Sequence, residues 1–186
     1  MRIIITGPRS VGKSTVARIL AKKTGLQYIS SDELGEEAMK EIGGLDKAIK
    51  SGKIHEFIEK KGYSIILSVF GKDNFVFDLS GGSISSRSHA EASEEIRDAA
   101  KKSSFVIGLL PSPNSEKSAR FLYEREKERK HFKGTGKDEL LENTKKDFSK
   151  YPELFDKFCD AVIYVEGKTP DEIVQEMIEK WIGGKR

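Results

Sequence analysis

Gly7-Pro8-Arg9-Ser10-Val11-Gly12-Lys13-Ser14 carries the spacing G-x-x-x-x-G-K-[ST] near the start of the chain. Each fixed position has a chemical reason. Glycines let backbone N–H groups curl around an anion. A helix starting near Lys13 turns the positive end of its dipole to the same place. Lys13 can reach the outer phosphates of a nucleoside triphosphate, the Ser14 hydroxyl can ligate Mg2+, and Thr15 can bond the inner phosphate. The match follows an apolar run at residues 3–5 and opens a helical pattern, which is the context that gives the motif its meaning. Bound ATP with Mg2+ is the expectation.

A phosphate loop needs a carboxylate at the end of a second core strand to hold the metal or its waters. Phe75-Val76-Phe77-Asp78 offers one: three apolar residues, then an acid where the strand emerges. Buried without a partner, Asp78 would be costly, and a magnesium shell would be that partner. A plain strand-end turn is the other reading, since Asp and Gly both favour turns. Gly81 and Gly82 follow, either to let backbone approach a reacting group or as a simple tight turn. Asp32 ends another strand candidate. It can hold an acceptor hydroxyl and take its proton, or it can cap the helix that starts there. Arg125 and Arg129 are four residues apart on one helical face, beside Lys130, His131 and Lys133. They can form a cationic lid over ATP, or a solvated face interleaved with Glu124, Glu126 and Glu128. Arg87 is a candidate anion contact for the acceptor. His55, His89 and His131 match no metal-ligand spacing and read as surface or packing residues.

The elements that must position these residues alternate. Short apolar runs at 3–5, 26–29, 75–79, 105–110 and 161–165 are separated by helical patterns at 13–23, 32–40, 89–102, 115–129, 138–158 (broken before Pro152) and 170–182. Strand–helix alternation demands a parallel sheet with helices on both faces. The fold class is therefore α/β, a P-loop three-layer α/β/α arrangement around five parallel strands. One domain over residues 1–182 is expected, with a helical substrate-binding region about 32–72, a lid about 125–138 and a frayed tail at 183–186. A net charge of +3, from 33 basic and 30 acidic residues, is too small to argue for nucleic acid. One cysteine excludes an internal disulfide framework. No apolar run approaches the roughly 20 residues that span a bilayer. A cytoplasmic monomer or weak dimer acting on a small-molecule acceptor, without nucleic acid or membrane, is the reading.

This order of features resembles the shikimate kinases, within the nucleotide-kinase group of P-loop proteins. The resemblance covers most of the chain: the phosphate loop, the Asp-bearing second strand, Asp78-Leu79-Ser80-Gly81-Gly82, the arginine-bearing lid, and a last strand leading to Thr169-Pro170. It implies strand order 2-3-1-4-5 and transfer of the γ-phosphate of ATP to a small-molecule hydroxyl. Lys13, Asp32, Arg125 and Arg129 would act at the reacting groups, and Gly81, Gly82 and Arg87 at the acceptor. Ser14 and Asp78 would serve the metal. The departures are specific. Ser30 stands where the family has a first aspartate, and Ser83 where it has a third glycine. The family clamps its acceptor carboxylate with arginines, yet this chain has none between Arg18 and Arg87 or between Arg129 and Arg186. Ile58 stands where the substrate-region arginine would be, and lysine does not replace a bidentate clamp. Gly25-Leu26-Gln27-Tyr28-Ile29-Ser30-Ser31 also resembles the cytidylate and adenylate kinases. A nucleoside monophosphate kinase is thus the first alternative, and a nucleotide-binding ATPase or switch the second.

Overall fold

Runs of β-branched and aromatic residues form the centre of the molecule, and the helices between them supply its outer layers. A computed structural model describes residues 1–40, 43–44, 61–127 and 136–183. Strands β1 (Arg2–Gly7), β2 (Gln27–Ser30), β3 (Phe75–Ser80), β4 (Phe105–Leu110) and β5 (Ala161–Tyr164) make one parallel sheet. Its order is β2-β3-β1-β4-β5, the order expected from the resemblance. In the three central strands all but one residue of each is buried. A strand covered on both faces has no use for polar alternation, which is why these segments read as unbroken apolar runs.

Helices α1 (Lys13–Thr24), α2 (Ser31–Met39), α3 (Tyr63–Val69), α4 (Gly81–Ser85), α5 (Ala90–Ser103), α6 (Ser115–Glu126), α7 (Lys137–Phe148), α8 (Tyr151–Phe158) and α9 (Pro170–Met177) connect or flank the strands. A wider π-helical turn, Ile178–Ile182, follows α9. The sheet's helix-covered core is built on Ile3, Ile4, Ile5, Val76, Phe77 and Ile107, each at most 1% exposed. The last helix starts where Thr169-Pro170 predicts. Thr169 accepts from the Glu172 amide while Glu172 accepts from the Thr169 amide, a reciprocal cap.

Two expectations change. Gly81 and Gly82 are not a bare turn but the first residues of α4, a short helix grown directly from β3. Asp32 does not cap α2. Ser30 does, accepting from the Glu33 amide at 3.3 Å, because β2 stays paired with β3 through Ser30↔Asp78 and the helix turns off there. The helix expected over 115–129 is observed to Glu126. Residues 128–135, with Arg129, Lys130, His131 and Lys133, lie outside the described residues, as do 45–60 with His55 and Ile58 and the tail at 184–186. Among the described residues no helix is long and apolar enough to cross a membrane.

Candidate active site

The site lies where the strands end. β1 stops at Gly7 and α1 starts at Lys13, so the intervening residues must reverse direction within a few bonds. Ser10 (φ 64°) and Gly12 (φ 108°) both take left-handed backbone to do it. Such a conformation is strained for a serine and persists only where surrounding contacts fix it. Val11 supplies one such contact, being 2% exposed between them. The Lys13 ammonium donates to the Pro8 carbonyl at 3.2 Å and so lies across the loop. The Ser10 Oγ and Thr6 Oγ1 are buried and lack a hydrogen-bond partner in the protein. Orphaned buried hydroxyls are rare, and one of these, on Ser10, belongs to the phosphate loop itself.

Asp78 is 3% exposed and aligns with Ile5 on one side and Ser30 on the other. Burial pushes its carboxyl above the usual carboxylate range. The Ser14 hydroxyl, the Lys13 charge and the Tyr28 hydroxyl pull it back, and Asp32 adds to the rise. Tyr28 donates to Asp78 Oδ2 at 3.2 Å. Strand pairing explains the contact: Tyr28 lies opposite Val76, two residues before the Ser30–Asp78 pair, on the same face of the sheet. Ser14 and Asp78 together offer hard oxygen donors. Mg2+ prefers that set, because it keeps much of its hydration shell.

Gly81 sets how closely the two halves of the site approach. A Cβ there would lie 2.4 Å from the Gly7 carbonyl oxygen and 2.5 Å from the Tyr151 hydroxyl. At Gly82 the nearest atom would be Ser80 Oγ at 3.6 Å, an ordinary contact. Beside Gly81 a cavity of about 350 Å3 is lined by Arg9, Lys13, Asp32, Gly82, Asp147 and Tyr151, among others. A second, of about 280 Å3, is lined by Ser10, Gly12, Ser14, Thr15 and Arg125 and shares Arg9, Lys13 and Asp32 with the first. The exposed Asp32 carboxylate thus stands beside the lysine of the phosphate loop.

Arg125 is at the loop, where the sequence reading put a lid cation. Its guanidinium donates to the carbonyls of Ser10 (3.2 Å) and Val11 (3.3 Å), and lies 4.3 Å above the Phe121 ring. It therefore covers the phosphate loop. Arg87 is exposed and lines neither cavity containing Lys13. Glu33, beside Asp32 in the first turn of α2, pairs with Arg18 at 2.7 Å.

Three residues at the site had no assigned role in the sequence reading. Tyr28 holds Asp78. Ser31 accepts from the Ser80 amide at 2.9 Å and so ties the end of β3 to the start of α2. Tyr151 is 4% exposed on α8, and its pKa is pushed up to about 12, chiefly by burial. Only Tyr28 carried a local signal, as a polar aromatic two residues from a strand end.

A five-stranded parallel sheet in this order, with a phosphate loop after its central strand and an acid emerging from the neighbouring strand, defines a P-loop kinase fold. Comparison narrows the class. The shikimate kinase family model matches residues 9–181, so the chain belongs to the shikimate kinase family. It is an ATP-dependent small-molecule kinase of shikimate kinase-like type. A putative adenylate kinase of Pyrococcus furiosus is 31% identical over 96% of this chain and 82% of its own length. Two solved structures share the fold. A shikimate kinase from Bacteroides thetaiotaomicron has a TM-score of 0.75 at 16% identity, covering 96% of this chain and 97% of its own. A shikimate kinase from Acinetobacter baumannii in complex with shikimate has a TM-score of 0.68 at 20% identity, covering 99% and 94%.

Proposed function

We propose that this kinase moves the γ-phosphate of Mg2+-bound ATP to a hydroxyl of a small-molecule acceptor held beside Asp32. The observation that carries the reading is the shared cavity wall of Lys13, Asp32 and the Gly81–Gly82 backbone. In this reading the loop amides and Lys13 hold the phosphates, and Thr15 contacts the inner phosphate. Asp32 orients the acceptor hydroxyl and takes its proton. Ser14 and Asp78 hold the metal through oxygen and water, and the metal when bound neutralises charge on the transferring phosphoryl group. Arg125 leaves the loop carbonyls to meet that charge, with Arg129 as its companion on the lid. Most of the gain is positioning and electrostatics. Residues 1–182 then work as one domain, with 32–72 holding the acceptor and 125–138 closing over ATP, as a cytoplasmic monomer or weak dimer.

The test is ATP consumption with Mg2+ against shikimate, nucleoside monophosphates and a no-acceptor control. Asp32→Asn should lose transfer by about 10²–10⁴-fold while ATP affinity stays near that of the parent. Normal transfer by that variant would remove Asp32 from the mechanism. A second reading, transfer to a nucleoside monophosphate, is favoured by the near-full-length relation to the Pyrococcus furiosus protein. Monophosphate-stimulated turnover would establish it.

A further inference from the structure

Three cavities adjoin at the ends of the strands, and the one beside Gly81 is the middle one. It shares Arg9, Lys13 and Asp32 with the cavity that holds Ser14 and Thr15. It shares Ser80 and Gly82 with a third cavity, of about 390 Å3, walled by α2, α3 and the segment after α4. Among the described residues the outer two have no lining residue in common. A phosphoryl group that leaves a nucleotide on the Ser14–Thr15 side for an acceptor beside Asp32 and Gly82 must therefore cross the middle cavity. Tyr151 lines that cavity and neither of the others.

The Tyr151 ring is held on two sides. It meets Phe155 edge-on, with centroids 5.5 Å apart and planes at 78°, and the Lys150 ammonium lies 5.5 Å from its centroid. Phe155 is itself fully buried, so the ring has little freedom to turn. Its hydroxyl is delivered to the floor of the cavity. A Cβ on Gly81 would come within 2.5 Å of the phenol oxygen and 2.4 Å of the Gly7 carbonyl oxygen. The phenol oxygen thus stands where the phosphate loop begins and β3 gives way to α4, and glycine at 81 is what admits it.

Burial keeps the proton on this phenol at neutral pH. It is a donor there and not a base. The exposed Asp32 carboxylate on the same cavity supplies the base. An uncharged donor also adds no cation to compete for Asp32. A phosphoryl group in transit spreads its charge over three equatorial oxygens, and fixed donors aimed at them are what accelerate the step.

We infer that the Tyr151 hydroxyl is a catalytic hydrogen-bond donor to an equatorial oxygen of the phosphoryl group as it crosses from ATP to the acceptor beside Gly81. The acceptor oxygen forms the new bond to phosphorus, and the β,γ-bridging oxygen keeps the electron pair of the bond that breaks. The acceptor proton goes to Asp32, and the Tyr151 proton stays on Tyr151. This rests on the phosphotransfer reading above and adds a residue to it.

The test compares the whole parent protein with Tyr151→Phe, which deletes one oxygen and keeps the ring. Calorimetry with Mg2+ measures binding of ADP alone and of ADP with aluminium fluoride, a mimic of the phosphoryl group in transit. The variant should lose about tenfold or more of the affinity that aluminium fluoride adds, with its affinity for ADP alone unchanged. In turnover with ATP, kcat should fall about 10–100-fold while KM values for ATP and acceptor hold. The same gain from aluminium fluoride in both proteins overturns the inference. Equal weakening of ADP with and without aluminium fluoride marks a displaced phosphate loop and overturns it as well. A raised acceptor KM with kcat held makes Tyr151 an acceptor contact and also overturns it. None of these results touches the phosphotransfer reading, which fails separately if the parent consumes no ATP with shikimate or any nucleoside monophosphate.

Discussion

Gly81→Ala tests how the two halves of the site are held together. The added methyl would meet the Gly7 carbonyl oxygen at 2.4 Å and the Tyr151 hydroxyl at 2.5 Å, where ordinary contacts begin near 3.4 Å. One neighbour is backbone of the phosphate loop, and the other belongs to a ring 4% exposed and packed edge-on against Phe155 at 5.5 Å. Neither can rotate away, so the loop must retreat by about 1 Å. Overpacking of this kind costs about 1–3 kcal/mol, which lowers Tm by roughly 2–12 °C for a chain of this size. A displacement of about 1 Å at the reacting groups costs about 10²-fold in rate. Thermal denaturation followed by circular dichroism, paired with a coupled ADP assay, reads both effects. Gly82→Ala is the control: its methyl would lie in ordinary contact with Ser80 Oγ, so its Tm should stay close to that of the parent. A Gly81→Ala protein with parental Tm and turnover would refute the close-approach argument. Equal loss in both variants would refute its assignment to Gly81.

Asp78→Asn should raise Tm at neutral pH while weakening apparent Mg2+ affinity about 10–100-fold, measured by Mg2+ titration of turnover. The sign follows from burial, which raises the folded pKa of Asp78 above its unfolded value. The unfolded chain therefore releases this proton first. Parental stability falls as pH rises through the window just above the ordinary carboxylate range, and the variant should lack that fall. Ser30→Ala removes the cap on α2 and should cost about 1 kcal/mol in denaturant unfolding, whereas Asp32→Asn should leave stability nearly unchanged. Tyr151→Phe removes the buried hydroxyl that faces Gly81, whose carbonyl accepts from the Ser85 hydroxyl at 2.7 Å. It should lower kcat more than it raises KM for ATP, and steady-state kinetics would show this.

The sequence alone determined whatever depends on neighbours along the chain. The phosphate loop could be read because its backbone shape needs particular residues at fixed offsets, and the Thr169-Pro170 helix start is equally local. The central strands could be read because burial on both faces leaves only apolar residues in them. Even the acid at the end of β3 stood out, as an exception in an apolar run. Tertiary structure decided what depends on residues far apart. Ser30, Ser31 and Asp32 can all cap a helix, and only the pairing of Ser30 with Asp78 chose Ser30. Tyr28 reaches Asp78 across 50 positions, and Arg125 reaches the phosphate loop across 115. Tyr151 on α8 lies against Gly81 just past the end of β3, a meeting no local pattern encodes. The cavity beyond Gly82 is of the same kind. Its walls come from α2, α3 and the segment after α4, each unremarkable on its own, and its character appears only when the sheet brings them together.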